Sequence, residues 1–533
     1  LELKAALEAR GHRFRTRSDT EVLVHGYDAW GAELVTRLRG IFAFAIHDQK
    51  RRRVFAARDH LGVKPFYYHL TPELFVFGSE PKALLAHPDV PVRPDLDGVS
   101  LCLRYGYAPA HFSAFSGLRQ LEPGSLLVVD AESSSLRRYW TPPPLGVGDL
   151  QGIDEDAELD RQIDETVELE LMSEVPLGAF LSGGIDSSVV AASIARNPRL
   201  TDRPRTFCIG FPEPKYDESG HSRAVADALG LSHQVEIVAP EALSLLETLV
   251  EVYDEPFGDA SAIPTYALCK MARRHVTVAL SGDGGDEVFG GYRRYNKLAG
   301  FTELPEMAQR AAGLAARYLP PGARGRARLT RLSLDLPAQY EHELSLFGPQ
   351  AAAELLGEEL LRPTAWSLAE LFRSAPGPNP VAQAQWVDLM SYLPGDILTK
   401  VDRASMANAL EVRVPLLDYR FVEWAARLPH ARTFADGQGK VALKDHLARR
   451  VPRRLFERPK MGFGVPLEFW LGGEHGLRQL ADRLRARHPQ RRFFAPIRDG
   501  ALERLMSRQE RGDVTPLIWM LLFLETWWQK HFV

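Results

Sequence analysis

The 533-residue sequence has only three cysteines, Cys102, Cys208 and Cys269. They are too few and too scattered for a disulfide framework or a CxxC zinc site, and a reducing, cytoplasmic compartment fits best. A long apolar run is also lacking: no stretch reaches the roughly 20 residues that a membrane span requires. The nearest, Pro516 to Leu524, runs into Glu525 and reads as a buried helix. Charge of one sign is not in excess, since 65 Lys plus Arg against 69 Asp plus Glu leave a net charge of -4. A nucleic-acid partner is therefore poorly supported, because such binding rests on phosphate neutralisation. The short basic runs Lys50 to Arg53 and Arg324 to Arg331 read as solvated turns and helix faces. Internal repeats, low-complexity tracts and a secretory leader are not apparent either. What remains is an ordinary globular composition, 45% hydrophobic and 25% charged. At roughly 150 residues per domain it divides into two to four domains.

Residues 1 to about 140 are strand-rich. Phe42, Phe44 and Ile46 alternate with Ala43 and Ala45, which predicts a strand with two different faces. A charged turn, Asp48 to Arg53, leads to a second run at Val54 to Ala57, and Phe75 to Phe77 and Leu126 to Val129 read as further strands. The connections are too short for parallel crossovers, so the sheet should be antiparallel. The Pro-rich stretch Thr141 to Gly146 marks a boundary, giving expected domains at 1–145 and 153–533. Beyond it the rhythm changes to strands alternating with helices: strands at Leu177 to Leu181, Thr206 to Gly210, His233 to Val238 and Val276 to Leu280. Helices are expected at about 155–172, from Asp186, at Asp217 to Leu229, 241–253 and 261–274. This pattern predicts a doubly wound parallel α/β sheet, with a mainly helical extension after about residue 300.

Two loops carry the chemistry. Ser182-Gly183-Gly184-Ile185-Asp186-Ser187-Ser188 follows a predicted strand and opens a helix. Glycines there let backbone N–H groups approach an anion, and the helix N-terminus favours negative charge. Asp186 would repel a bare phosphate, so its presence points to a metal–nucleotide complex. The loop is not a Walker A sequence, which ends in Gly-Lys-Ser/Thr. The bland alternative is a glycine-rich turn with a serine cap. A second loop, Ser281-Gly282-Asp283-Gly284-Gly285-Asp286-Glu287, follows another predicted parallel strand. Loops at strand C-termini of a doubly wound sheet meet along one edge, where ligands bind. Asp186 and Asp286 could then share Mg²⁺, and the bland reading weakens.

The first loop resembles the SGGxDS pyrophosphate loop of N-type ATP pyrophosphatases. With the second it resembles the synthetase domain of glutamine-dependent asparagine synthetases. Lys400 to Met406, Leu410 to Asp418 and Arg458 to Pro466 agree with that family, as do Ser18 to Val22, Arg39 to Ala45 and Ala57 to Tyr68 in the glutaminase-like part. The resemblance covers essentially the whole chain in the right order. It implies an α/β multi-domain enzyme: an N-terminal α+β Ntn-type antiparallel sandwich, incomplete here, followed by the doubly wound sheet with its helical extension.

It further implies a ligase that uses ATP and Mg²⁺ to convert aspartate to β-aspartyl-AMP, releasing pyrophosphate, and that forms asparagine with ammonia from glutamine. The matching ATP-binding positions are Leu181, Ser182, Gly183, Gly184, Asp186, Ser187, Ser188, Ile209, Ser281 and Gly282, with Lys444 near phosphate. Asp186 and Asp286 match metal ligands. Lys460 matches a lysine that neutralises charge on the α-phosphate, and Asp283 a carboxylate that acts in forming and using the adenylate. Asp19 matches the acid that holds the amino group of glutamine. Partners are small molecules only, with a homodimer left open.

Asp283 stands where well-known relatives have Glu, which shortens the reach by one methylene and leaves the acceptor open. A same-architecture amidotransferase acting on a sugar acid, and a non-catalytic nucleotide-binding relative, are the alternatives. Arg413, Glu411 and Asp418 read either as amino-acid contacts or as a clamp between helices. The chain begins at Leu1, inside what reads as a helix. The family's nucleophilic Cys, an Arg and an Asn-Gly-Glu segment are expected before that point, so the sequence reads as N-terminally truncated and unable to hydrolyse glutamine by the family mechanism.

Overall fold

A computed structural model describes residues 2–198, 200, 203–238, 245–301, 304–319, 323, 325–347, 364–458, 464–467 and 515–532. The chain divides into two compact units. The first comprises Leu1–Pro91, Ala110–Phe112 and Gly117–Thr141, the second Val92–Pro109, Ser113–Ser116 and Pro142–Val533.

In the first unit, strands β1 (Ala43–Asp48), β2 (Arg53–Arg58), β6 (Ser125–Asp130) and β7 (Ser134–Arg138) form an antiparallel sheet in the order β1-β2-β6-β7. A second antiparallel sheet, β4-β3-β5, uses β3 (Tyr67–Leu70), β4 (Phe75–Gly78) and β5 (Leu118–Gln120). The alternation in β1 decides what each face meets. Phe42, Phe44 and Ile46 pack with Tyr27, Leu34 and Phe55, whereas Ala43 and Ala45 pack with Phe66, Tyr68 and Leu127. The same period of two puts Phe55 and Ala57 in one cluster and Ala56 in the other. Buried Arg58 donates to the carbonyls of Lys64, Gly62 and Leu121 at 2.7–2.9 Å. Asp59 accepts the Val63 and Lys64 N–H groups, both at 2.9 Å. These charged residues of the 57–68 segment therefore knot a turn together.

In the second unit, five parallel strands line up as β10-β9-β8-β11-β12. They are β8 (Leu177–Phe180), β9 (Arg205–Gly210), β10 (Ser232–Ile237), β11 (Val278–Leu280) and β12 (Glu411–Arg413). The chain builds outward from β8 to one edge, then returns to build β11 and β12 on the other side. The reversal lies between β8 and β11, which pair from Leu177↔Val278 to Ala179↔Leu280. Residues after Phe180 and after Leu280 thus leave the sheet side by side. The helix Leu96–Tyr105, inside the span expected for the first domain, belongs to the second unit. The helix Thr515–Phe532 is buried over most of its length. No helix among the described residues is long and apolar enough to cross a membrane. Residues 241–244 of the expected 241–253 helix lie outside the described residues, and the remainder forms Leu246–Tyr253.

Candidate active site

The turn after β8 closes on its own hydroxyls. Ser182 N–H donates to Ser187 Oγ at 3.2 Å, the two serine hydroxyls lie 3.1 Å apart, and Gly184 N–H donates to Ser182 Oγ at 3.2 Å. Gly183 has φ +75°, and a Cβ there would come within 2.8 Å of the His221 and Ser222 backbone. Only glycine fits that conformation and that approach without strain. The turn delivers the chain into the helix Ile185–Arg196 with Asp186 in its first turn.

The turn after β11 packs directly onto this one. A Cβ on Gly282 would lie 2.6 Å from Asp186 C and Ser187 N, and one on Gly285 would strike the Asp186 carboxylate. Ser281 Oγ donates to Asp283 Oδ2 at 2.7 Å, and its N–H donates to Arg413 O at 2.8 Å. Asp186 and Asp286 meet a cation that the sequence reading did not include. Lys440 Nζ contacts Asp286 Oδ1 at 2.7 Å and also Asp186 Oδ2. Lys440 is 5% exposed. Burial works against its charge, but the two carboxylates outweigh it and raise the lysine pKa.

A second buried lysine acts electrostatically on Asp283. Lys400 Nζ donates to Asp259 Oδ2 at 2.7 Å and to Ser261 Oγ at 2.8 Å. It sits just after the π-helical stretch Asp388–Ile397, which contains Pro394. Burial pushes the Asp283 carboxyl up, while the Ser281 hydroxyl and Lys400 pull it down. Burial, then neighbouring Asp286, pushes Glu287 up to about 7 against the hydrogen bond from Tyr292. The Tyr292 hydroxyl donates to Glu287 Oε1 at 2.6 Å. Acids and lysines are thus concentrated at the strand ends, a pattern common at functional sites.

Other expected residues fall in varied places. Leu181 and Ile209 are buried, and Leu181 N–H donates to Phe207 O at 2.9 Å. Ser188, expected to offer a hydroxyl to nucleotide, is fully buried in the helix, and its Oγ has no hydrogen bond among the described residues. Lys444, one turn after Lys440, donates to Gln438 Oε1 at 3.3 Å. Lys460 lies outside the described residues; Arg458 before it donates to Glu218 Oε1 at 2.6 Å. Asp19 belongs to the first unit, exposed in the first turn of the helix Asp19–Trp30, and accepts the Thr20 N–H at 2.7 Å.

Arg413 is a structural clamp, though on a strand and not between helices. Its Nε donates to Glu411 Oε1 at 2.7 Å, and its Nη1 to the carbonyls of Glu170 and Met172 at the end of the helix Glu155–Glu170. Asp418 caps the helix Tyr419–Ala426 by accepting the Arg420 and Phe421 N–H groups.

Two carboxylates that converge on one ammonium are close enough to share a cation, and carboxylate oxygens are the donors Mg²⁺ prefers. Mg²⁺ typically takes one or two protein carboxylates and completes its shell with phosphate oxygens and water. The pair fits that ion, and no larger cluster of three His, Cys, Asp or Glu side chains occurs among the described residues.

Comparison with known proteins also divides the chain in two, with a single boundary between residues 140 and 158. Residues 158–529 match the asparagine synthase family model, and residues 1–140 match a glutamine amidotransferase domain. A Mycobacterium tuberculosis protein provisionally named a glutamine-hydrolysing asparagine synthetase is 36% identical over 492 residues, 88% of this chain and 74% of its own. Glutamine-hydrolysing asparagine synthetase 1 of Bacillus subtilis is 32% identical over 485 residues, covering 89% and 75%.

Proposed function

The chain belongs to the glutamine-dependent asparagine synthetase family, and from that premise we propose that it joins the side-chain carboxylate of aspartate to ammonia at the expense of ATP. The observation that carries this reading is the meeting of two glycine-rich, carboxylate-bearing loops at the reversal of the parallel sheet, where Asp186 and Asp286 converge on one cation. A carboxylate is a poor electrophile until one of its oxygens becomes a good leaving group. Attack of the aspartate β-carboxylate on the α-phosphorus forms the acyl-adenylate and expels pyrophosphate. Ammonia then attacks the acyl carbon, the C–O bond breaks, and AMP leaves with the bridging oxygen.

The residues divide this work by position. The hydroxyls of Ser182 and Ser187, the backbone of Gly183 and the N-terminus of the helix Ile185–Arg196 hold the pyrophosphate. Asp186 and Asp286 would hold Mg²⁺, which when bound neutralises phosphate charge. Leu181, Ile209, Ser281 and Gly282 bound the nucleotide, with Lys444 near its phosphates. Lys460 offsets charge that develops on the α-phosphate. Asp283 lies at the acceptor side, where its half-buried carboxyl can orient or accept a proton from the attacking ammonia. Residues 1–145 correspond to the family's glutaminase domain, with Asp19 at the position that holds the glutamine amino group, and residues 153–533 to the synthetase. Three free, buried thiols agree with work in a reducing cytoplasm. A homodimer is left open, and sedimentation velocity reads the oligomeric state.

The test is an assay with ATP, Mg²⁺, aspartate and ammonium chloride, following AMP, pyrophosphate and asparagine. Equal amounts of the three products support the reading. Turnover with another carboxylate, but none with aspartate, would reassign the acceptor. ADP and phosphate in place of AMP and pyrophosphate would overturn the mechanism.

A further inference from the structure

We propose that Lys440 is a built-in counter-cation that keeps divalent metal out of the Asp186–Asp286 pair until nucleotide arrives, so that metal and ATP load together. The inference rests on the reading of the two loops as the Mg–ATP site, and it concerns the order in which that site fills.

Three features place this ammonium deliberately. The backbone of Lys440 is in the left-handed region at φ +62°, where a non-glycine residue is strained. It is held there from two sides, because its N–H donates to Phe289 O at 2.7 Å and to Thr433 O at 2.8 Å. The lysine stem and the Asp286 carboxylate both pack over Gly291, where any Cβ would collide with Lys440 Cε and with Asp286 Oδ1. A strained, buried backbone and a required glycine thus converge on one result: Nζ sits between the two carboxylates.

That position is the one a shared metal would take. An ammonium in contact with Asp186 Oδ2 and Asp286 Oδ1 occupies the lone pairs through which those oxygens would bridge to Mg²⁺. The group already carries one positive and two negative charges. Adding a divalent ion without nucleotide sets two cations against each other in a poorly solvated site. Adding it with a polyphosphate brings anionic oxygens enough for both.

The probe is Mn²⁺, with free ion measured by electron paramagnetic resonance on the full chain. It is used alone and with α,β-methylene-ATP, which cannot release pyrophosphate. Asp286→Asn identifies which binding belongs to this site. In the native chain, Asp286-dependent uptake of Mn²⁺ should be weak alone and tighten at least about tenfold with the analogue, as expected where like charges compete in a buried site. In Lys440→Met, uptake without nucleotide should tighten by about the same factor, since the competing charge is gone. Lys440→Gln, which restores a hydrogen-bond donor without charge, should behave like Lys440→Met.

Equal Asp286-dependent affinity with and without the analogue in the native chain overturns the proposal, and this arm decides even if the Lys440 variants do not fold. Folded Lys440→Met with unchanged nucleotide-free affinity also overturns it, leaving Lys440 as a structural ion pair. Failure of the underlying ATP reading looks different: the analogue itself would not bind to the native chain in equilibrium dialysis.

Discussion

Two of the buried groups of cation and carboxylate in the second unit are built on opposite plans. In one, Arg294 meets Asp388 at 2.8 Å, and the hydroxyls of Tyr295 and Tyr340 also donate to that carboxylate. The guanidinium lies over Tyr292 at 3.8 Å and Tyr392 at 4.7 Å from the ring centroids. Charge balances one to one, and the aromatic faces fill the remaining space. In the other, Lys440 faces two carboxylates at the C-terminal ends of parallel strands, with Asp283 and Glu287 in the same loop. The first group is satisfied from within. The second keeps a surplus of negative charge where ligands of such sheets bind. The contrast separates a group that holds the fold from one that we propose serves a metal-bound ligand, though both look alike as buried ion pairs.

Substitutions should pull the two apart. Asp286→Asn should reduce AMP formation at least about 10³-fold, the scale of losing a charge partner of the reacting phosphates. Its urea midpoint should move little, because one acid remains for Lys440. Asp388→Ala should do the reverse, costing about 3–5 kcal/mol in urea unfolding by stranding Arg294. The folded fraction of Asp388→Ala should keep its KM for ATP. An exchange of these two outcomes would break the comparison.

A half-buried histidine outside both groups sharpens it further. His233 Nδ1 lies 2.9 Å from Thr206 Oγ1 and Nε2 2.9 Å from Ser222 Oγ. Burial, aided by Arg223, lowers its pKa to about 4. The unfolded chain gains this proton near pH 6.5 and the folded chain only near 4. The stabilisation is complete above pH 6.5 and is lost as pH falls through that window. Allowing for partial exposure, about 1–2 kcal/mol should disappear between pH 7 and 4. In His233→Gln that part of the pH profile, measured by urea unfolding, should flatten. The smallest effect belongs to Arg413→Ala, about 1 kcal/mol from lost carbonyl hydrogen bonds. Its KM for aspartate should be unchanged; a tenfold rise would show that Arg413 touches substrate.

Much of this was legible in the residues. The alternation at 42–46 is local, so it announces both faces of β1. The first loop is legible because strand, glycines and helix are contiguous. What escaped was set by distance or by shortness. Lys440 and Asp186 are 254 positions apart, and Gly437-Gln438-Gly439 signals only a turn before the lysine. Strand β12 has three residues and precedes Pro415, so it carries no readable period. Ser188 shares the loop's residue type, but its helical position turns the hydroxyl into the core. The helix Leu96–Tyr105 follows strands of the first unit in sequence and packs with the second, a choice made by tertiary contacts.

The central claim is that this site activates a carboxylate as an adenylate. Aspartate carrying ¹⁸O in both side-chain carboxylate oxygens, turned over with Mg–ATP and ammonium, tests it directly by mass spectrometry of the products. The account predicts one ¹⁸O in each AMP and none in inorganic phosphate, because AMP departs with the bridging oxygen. Appearance of the label in inorganic phosphate alongside ADP would reveal an acyl phosphate and contradict it.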